Sequence, residues 1–236
     1  MSDVNVSITP SGLALSMLID GKRQYQPIPV GELLSAVGNA TTKTSGWLPP
    51  NTRDWIEVGN RVMMVVEVPM GTHDLTVLHD NSYLKKGKMV IKGVPLPTAL
   101  FFFDLSKQSD GYRISSCKIY ALPGRFNGDK ATKLFLYPAP NVQSPQTICW
   151  GFDSYSAKNM TYKTMTALEG AVQLFYEAAF NDHCFTKERL ASSFDWGSID
   201  YRAVEQYFEK LKEYGYFDPK WLKPSGTTYA EVVGQI

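Results

Sequence analysis

Two residues in this chain have the types and the spacing to do chemistry together. Cys149 follows Asn141 by eight positions, inside the segment YPAPNVQSPQTICWG at positions 137–151. A thiolate attacks acyl carbons and also leaves from them, so a thioester on cysteine keeps the activation that an amide would lose. When an amine attacks such a thioester, a tetrahedral oxyanion forms that preorganised donors must stabilise. An asparagine amide is a suitable donor. Asparagine also bonds its own backbone in turns, so both roles stand for Asn141 at this level.

The elements around the pair have to position it. A strand-like run, Thr132-Lys133-Leu134-Phe135-Leu136, enters the segment. Pro138 and Pro140 then remove two backbone donors, which keeps this stretch out of a sheet interior. Pro145 with the polar Gln143-Ser144 predicts that the residues before the cysteine continue as loop. A cysteine at the end of a loop, carried by regular structure, is a common site of acyl-transfer chemistry.

Pro140-Asn141-Val142, followed after five residues by Ile148-Cys149, resembles the active-site segment of ubiquitin-conjugating enzymes. In that superfamily a His-Pro-Asn sequence precedes the catalytic cysteine, with the asparagine eight residues ahead. Here Ala139 stands at the histidine position, and Trp150-Gly151 follows the cysteine. The Asn-Val…Cys-Trp-Gly form and the later run Phe180-Asn181-Asp182-His183 are similar to a bacterial branch, the prokaryotic ubiquitin-conjugating-like family of PRTRC system protein B. The resemblance is strongest over residues 95–184.

It implies an α+β domain: a ubiquitin-conjugating-like antiparallel β-meander with helices packed on one face. It also implies an acyltransferase that carries a ubiquitin-like protein as a thioester on Cys149 and passes it to an amine. The implied partners are the ubiquitin-like protein, a ThiF or ubiquitin-activating-type enzyme that consumes ATP, and a JAB-type deconjugating peptidase. No metal or organic cofactor is implied. Asn141 would meet the oxyanion or fix the loop, and the missing histidine bears on loop geometry rather than on the nucleophile.

Four further residues are candidates. His183 would lower the Cys149 pKa, accept a proton, or only cap carbonyls. Asp153 is a candidate for positioning the amine because it is near in sequence. Tyr137 and Trp150 flank the segment and read more as packing than as chemistry. Cys117 and Cys184 read as inert packing atoms, and His73 and His79 receive no role. Two other readings use the same residues. A cysteine hydrolase would employ Cys149 with His183 and an Asp or Asn, and a non-catalytic adaptor would only bind the ubiquitin-like protein.

Composition agrees with an ordinary folded domain. Of 236 residues, 44% are hydrophobic and 13% aromatic, enough for a sizeable core. Twenty-four basic against 23 acidic residues give no general field for nucleic acid or an anionic membrane. No signal-peptide pattern and no run of about 18 apolar residues is present. Three widely spaced cysteines, with no CxxC pair and no HExxH, suit thiols in a reducing cytoplasm and argue against structural zinc.

Along the chain, alternation predicts two short strands within residues 4–19, and helical spacing predicts a helix from Val30 to Val37. An N-terminal extension is expected over residues 1–60 and the catalytic domain over 61–236. The extension is expected to supply the surface toward the activating enzyme. Strands are predicted at 61–68, at 74–79 (pairing with it), at 89–94, 99–105 and 112–122. A helix is predicted over 161–181 and a second one ending at Gly215, followed by an irregular tail marked by Pro219 and Pro224.

Overall fold

The computed structural model describes residues 4–9, 12–19, 22–27, 48–79, 87–150, 157, 160–200 and 203–235. Two compact units divide between Leu48 and Pro49. In the first, β1 (Val4–Thr9), β2 (Gly12–Ile19) and β3 (Lys22–Pro27) form an antiparallel sheet in that order. The third strand was not expected, because its Lys-Arg-Gln-Tyr-Gln sequence lacks apolar alternation; it pairs with β2 along its whole length. The helix expected at 30–37 lies outside the described residues.

The second unit is built on β4 (Thr52–Val58), β5 (Arg61–Val68), β8 (Thr98–Gln108) and β9 (Gly111–Leu122). Between them β6 (Gly71–His79) and β7 (Gly87–Leu96) form a separate antiparallel pair. The expected pairing of 74–79 with β5 therefore does not occur: β8 takes that edge of β5, in register from Arg61↔Ser106 to Val68↔Ala99. The unit begins earlier than the residue-60 boundary read from sequence, since β4 pairs with β5 from Thr52↔Val66 to Val58↔Arg61.

The central strands are buried at successive residues because both faces of the sheet are covered. Val62 to Val66 and Ala99 to Phe103 are all buried. Strand geometry sends Phe101 and Phe103 to one face and Phe102 to the other. Phe101 meets Phe175 and Tyr176 of α1 (Glu169–Glu177), with ring centroids 5.6 and 6.1 Å away. On the opposite face Phe102 packs with Met63, Val65, Leu100, Tyr120, Leu122 and Leu134. That layer is closed by Tyr229, Val232 and Val233 of α3 (Tyr229–Val233). The second helix, α2 (Val204–Tyr214), ends at Gly215 with φ of 72°, a left-handed cap that glycine adopts without strain.

Two expectations are corrected here. The helix expected from 161 starts at Glu169; Thr161–Tyr162 is instead a short strand, paired with Arg113 and Tyr112 of β9. It ends at Ala178, whose extended backbone lets Phe180 bond β6 through Phe180 N–H to Thr76 O and Leu78 N–H to Phe180 O, both 2.8 Å. The tail is not irregular. A 3-10 turn at Pro219–Trp221 leads to a strand at Pro224–Thr228, which pairs with Lys133–Leu136. Thr228 and Glu231 then form a capping box that starts α3.

The result is mixed α+β, mostly antiparallel sheet with a few helices. The helices expected on one face lie on both, α1 against Phe101 and α3 against Phe102, because the central strands are apolar at successive residues and need cover on each side. No described helix is long and apolar enough to cross a membrane.

Candidate functional site

The eight-residue spacing of Asn141 and Cys149 is the geometry of a hairpin. Val142–Gln143 and Thr147–Ile148 are short antiparallel strands, with Val142 opposite Ile148 and Gln143 opposite Thr147. The next pair outward is Asn141 with Cys149, and the Cys149 N–H donates to Asn141 O at 2.8 Å. The stretch expected to be loop is thus a short hairpin whose tip is Ser144-Pro145-Gln146. It is seated on the sheet, because Thr147 pairs with Lys118 of β9 and the Ile119 N–H donates to Gln146 O at 2.9 Å.

Asn141 sits at φ of 60°, a left-handed conformation that asparagine tolerates better than most residues. Its side chain is turned inward, 9% exposed, and Nδ2 donates to Ala179 O at 3.1 Å. That bond joins the cysteine hairpin to the chain leaving α1. A primary amide has two N–H donors, and among the described residues Ala179 O is the one partner of this amide.

The prolines make this segment rich in acceptors and poor in donors, and buried carbonyls require partners. Side chains from far along the chain supply them. The Tyr207 hydroxyl of α2 donates to Pro138 O at 2.7 Å. Arg189, 7% exposed and in the 3-10 turn Lys187–Arg189, donates to Tyr137 O at 3.4 Å, to Cys184 O at 3.3 Å and closely to Val142 O. Among the described residues no carboxylate pairs with this guanidinium. Its charge is met by carbonyl dipoles, and burial lowers its pKa. Gln146, also buried, accepts from the Tyr137 N–H at 2.8 Å.

Cys149 is half-buried. Cys184, from the 3-10 turn Asp182–Cys184, is half-buried as well, and its thiol is in hydrogen-bonding contact with Cys149 and with the Gln143 side chain. Burial pushes the Cys184 thiol up, the Cys149 sulfur adds to this, and Gln143 and Arg189 oppose it. Cys117, in β9, is fully buried and its thiol is raised well above the ordinary range by desolvation.

The other sequence candidates fall as follows. Tyr137 is fully buried, its hydroxyl 3.3 Å from that of Tyr176, and desolvation raises its pKa strongly. Trp150 is half-buried. Ala139, at the histidine position of the resemblance, is completely buried. The backbone of His183 lies in the turn beside Cys184, while its side chain, and all of Asp153, lie outside the described residues. His73 stacks on Tyr176 at 4.1 Å between centroids. Among the described residues no group of His, Cys, Asp or Glu is placed to hold a metal ion.

Sequence reasoning missed Arg189, Tyr207 and Gln146, and it read Cys184 as inert. One signal was present: two prolines beside a candidate nucleophile leave carbonyls that must find distant donors.

Searches of curated proteins and of solved structures return no match. The family described as prokaryotic E2 family D matches residues 30–225. That span contains the whole hairpin, the Ala179 and Cys184 contacts and Arg189, and it covers most of the chain. The chain belongs to prokaryotic E2 family D, a bacterial ubiquitin-conjugating-like family.

Proposed function

We propose that this chain accepts a ubiquitin-like protein on Cys149 and transfers it to an amine, acting as an acyltransferase with a thioester intermediate. The supporting observation is the hairpin that sets Asn141 directly across from a half-buried thiol at the edge of the sheet. In the first step the Cys149 sulfur attacks the carrier's C-terminal acyl carbon, held as a thioester on a ThiF-type activating enzyme. The new C–S bond forms as the old one breaks, and the activating enzyme's thiolate leaves. In the second step an amine attacks the same carbon. The C–N bond forms, the Cys149 thiolate departs, and the amine's extra proton passes to solvent or a nearby base. A JAB-type peptidase would reverse the product. The N-terminal unit is a candidate surface for the activating enzyme.

Asn141 has two parts in this scheme. The Ala179 bond holds the hairpin against the chain leaving α1, and the second amide N–H is available for the oxyanion. Loss of one oxyanion donor typically costs about 10²–10³-fold in rate. A single-turnover assay tests this. Protein already charged with the carrier is freed of ATP and given free lysine. The adduct should decay faster as lysine rises, and Asn141→Ala should slow that decay by about 10²–10³-fold while affecting charging less. Decay independent of the amine would count against transfer, and equal losses in both steps would remove the oxyanion role.

A further inference from the structure

The second thiol at the site has no part in the scheme above. Cys149 and Cys184 are 35 positions apart in the chain, 184 less 149, yet the fold sets their side chains beside one another at the hairpin. Their backbones are tied into one frame. Arg189 bonds Cys184 O and Val142 O together, Val142 is paired with Ile148, and Cys149 N–H is bonded to Asn141 O. Small molecules can reach them, since both cysteines are half-buried and Cys184 lines a groove of about 820 Å³ with Gln143, Pro145 and Arg189. Cys117 is 0% exposed and takes no part.

We propose that Cys149 and Cys184 form a reversible intramolecular disulfide under peroxide, a modification that withdraws the nucleophile until a dithiol reductant restores it. The atoms balance with hydrogen peroxide as the oxidant. The Cys149 thiolate attacks one peroxide oxygen, the O–O bond breaks, and hydroxide leaves to become water, giving a sulfenic acid. The Cys184 sulfur attacks the sulfenic sulfur, the S–S bond forms, the S–O bond breaks, and a second water leaves. Two thiols lose two electrons in all, and one peroxide gains them. The sulfurs must come to about 2 Å, which neighbouring cysteine side chains reach by rotation about Cα–Cβ.

This protects Cys149 from the irreversible sulfinic stage, because a neighbouring thiol captures the sulfenic acid first. The disulfide rests only on the placement of the two thiols, and its effect on carrier loading rests on the function proposed above. The test is therefore chemical. The full chain is treated with hydrogen peroxide, blocked with a maleimide, digested without reduction and analysed by mass spectrometry. The expected result is a linked pair of peptides containing Cys149 and Cys184, loss of maleimide labelling at both, and its full return on adding a dithiol. In Cys184→Ser the same treatment should carry Cys149 to sulfinic acid that the dithiol does not reverse. Cys149 oxidised to sulfinic acid in the unmodified chain, or linked to a second copy instead of to Cys184, would overturn the proposal. The wild-type map decides even where the variant folds poorly.

Discussion

Four carbonyls between Tyr137 and Val142 find donors in a stretch that two prolines have stripped of N–H groups. Cys149 N–H and the Tyr207 hydroxyl serve two of them, and Arg189 serves the other two as well as Cys184. Ala139 offers no side-chain donor to this segment, and a buried guanidinium from a distant turn holds it instead. Arg189→Met keeps most of the apolar stem and strands the carbonyls, at about 1–3 kcal/mol for each buried acceptor left unmet. Its urea midpoint should fall accordingly. Arg189→Lys should recover only part of the loss, because an ammonium cannot reproduce the planar fork. A lysine variant as stable as the parent would show that charge alone suffices.

At the scale of elements, the sheet is held between two apolar layers, and the three consecutive phenylalanines report that directly. Phe102 meets Tyr120 and Tyr229 at 5.6 and 5.5 Å between centroids, so it ties α3 to the sheet. Phe102→Ala should destabilise the second unit by about 3–5 kcal/mol in equilibrium unfolding. It should also expose α3 to proteolysis before α1, which packs on the Phe101 face. These strands were legible in the sequence because dense apolar runs between turn residues have few other solutions. Their partners were not: Asp74 to His79 carries no mark that chooses β7 over β5. The C-terminal strand and helix were hidden for a different reason. Pro219, Pro224 and Gly226 read as breakers, whereas the Thr228–Glu231 capping box that starts α3 spans only four residues. At the site, the Asn141–Cys149 spacing was legible, while the hairpin that produces it was not. Arg189 and Cys184 were not, since only the folded chain brings residues 184–189 to the hairpin.

For the whole molecule, folding also determines how stability follows pH. His73 stacks on Tyr176 beside a groove that Glu169 and Glu177 also line, and burial lowers its pKa from the ordinary 6.5. The folded state therefore resists the proton that the unfolded chain accepts. His73 contributes fully above about pH 6.5, and that contribution is lost as pH falls toward its depressed folded value. Urea midpoints should decline from about pH 7.5 to about pH 5.5, and His73→Phe, which keeps the stacking, should flatten that decline. An unchanged slope would assign the decline to other groups.

Whether Cys149 carries a ubiquitin-like protein as a thioester is decided by a charging assay. The full chain is incubated with a ubiquitin-like protein, its activating enzyme and Mg-ATP, then run on a non-reducing gel. The expected product is an adduct that requires ATP, collapses under thiol reductant and is absent in Cys149→Ala. An adduct that persists in Cys149→Ala, or cleavage of a preformed conjugate without ATP and no adduct at all, would rule out the thioester on Cys149.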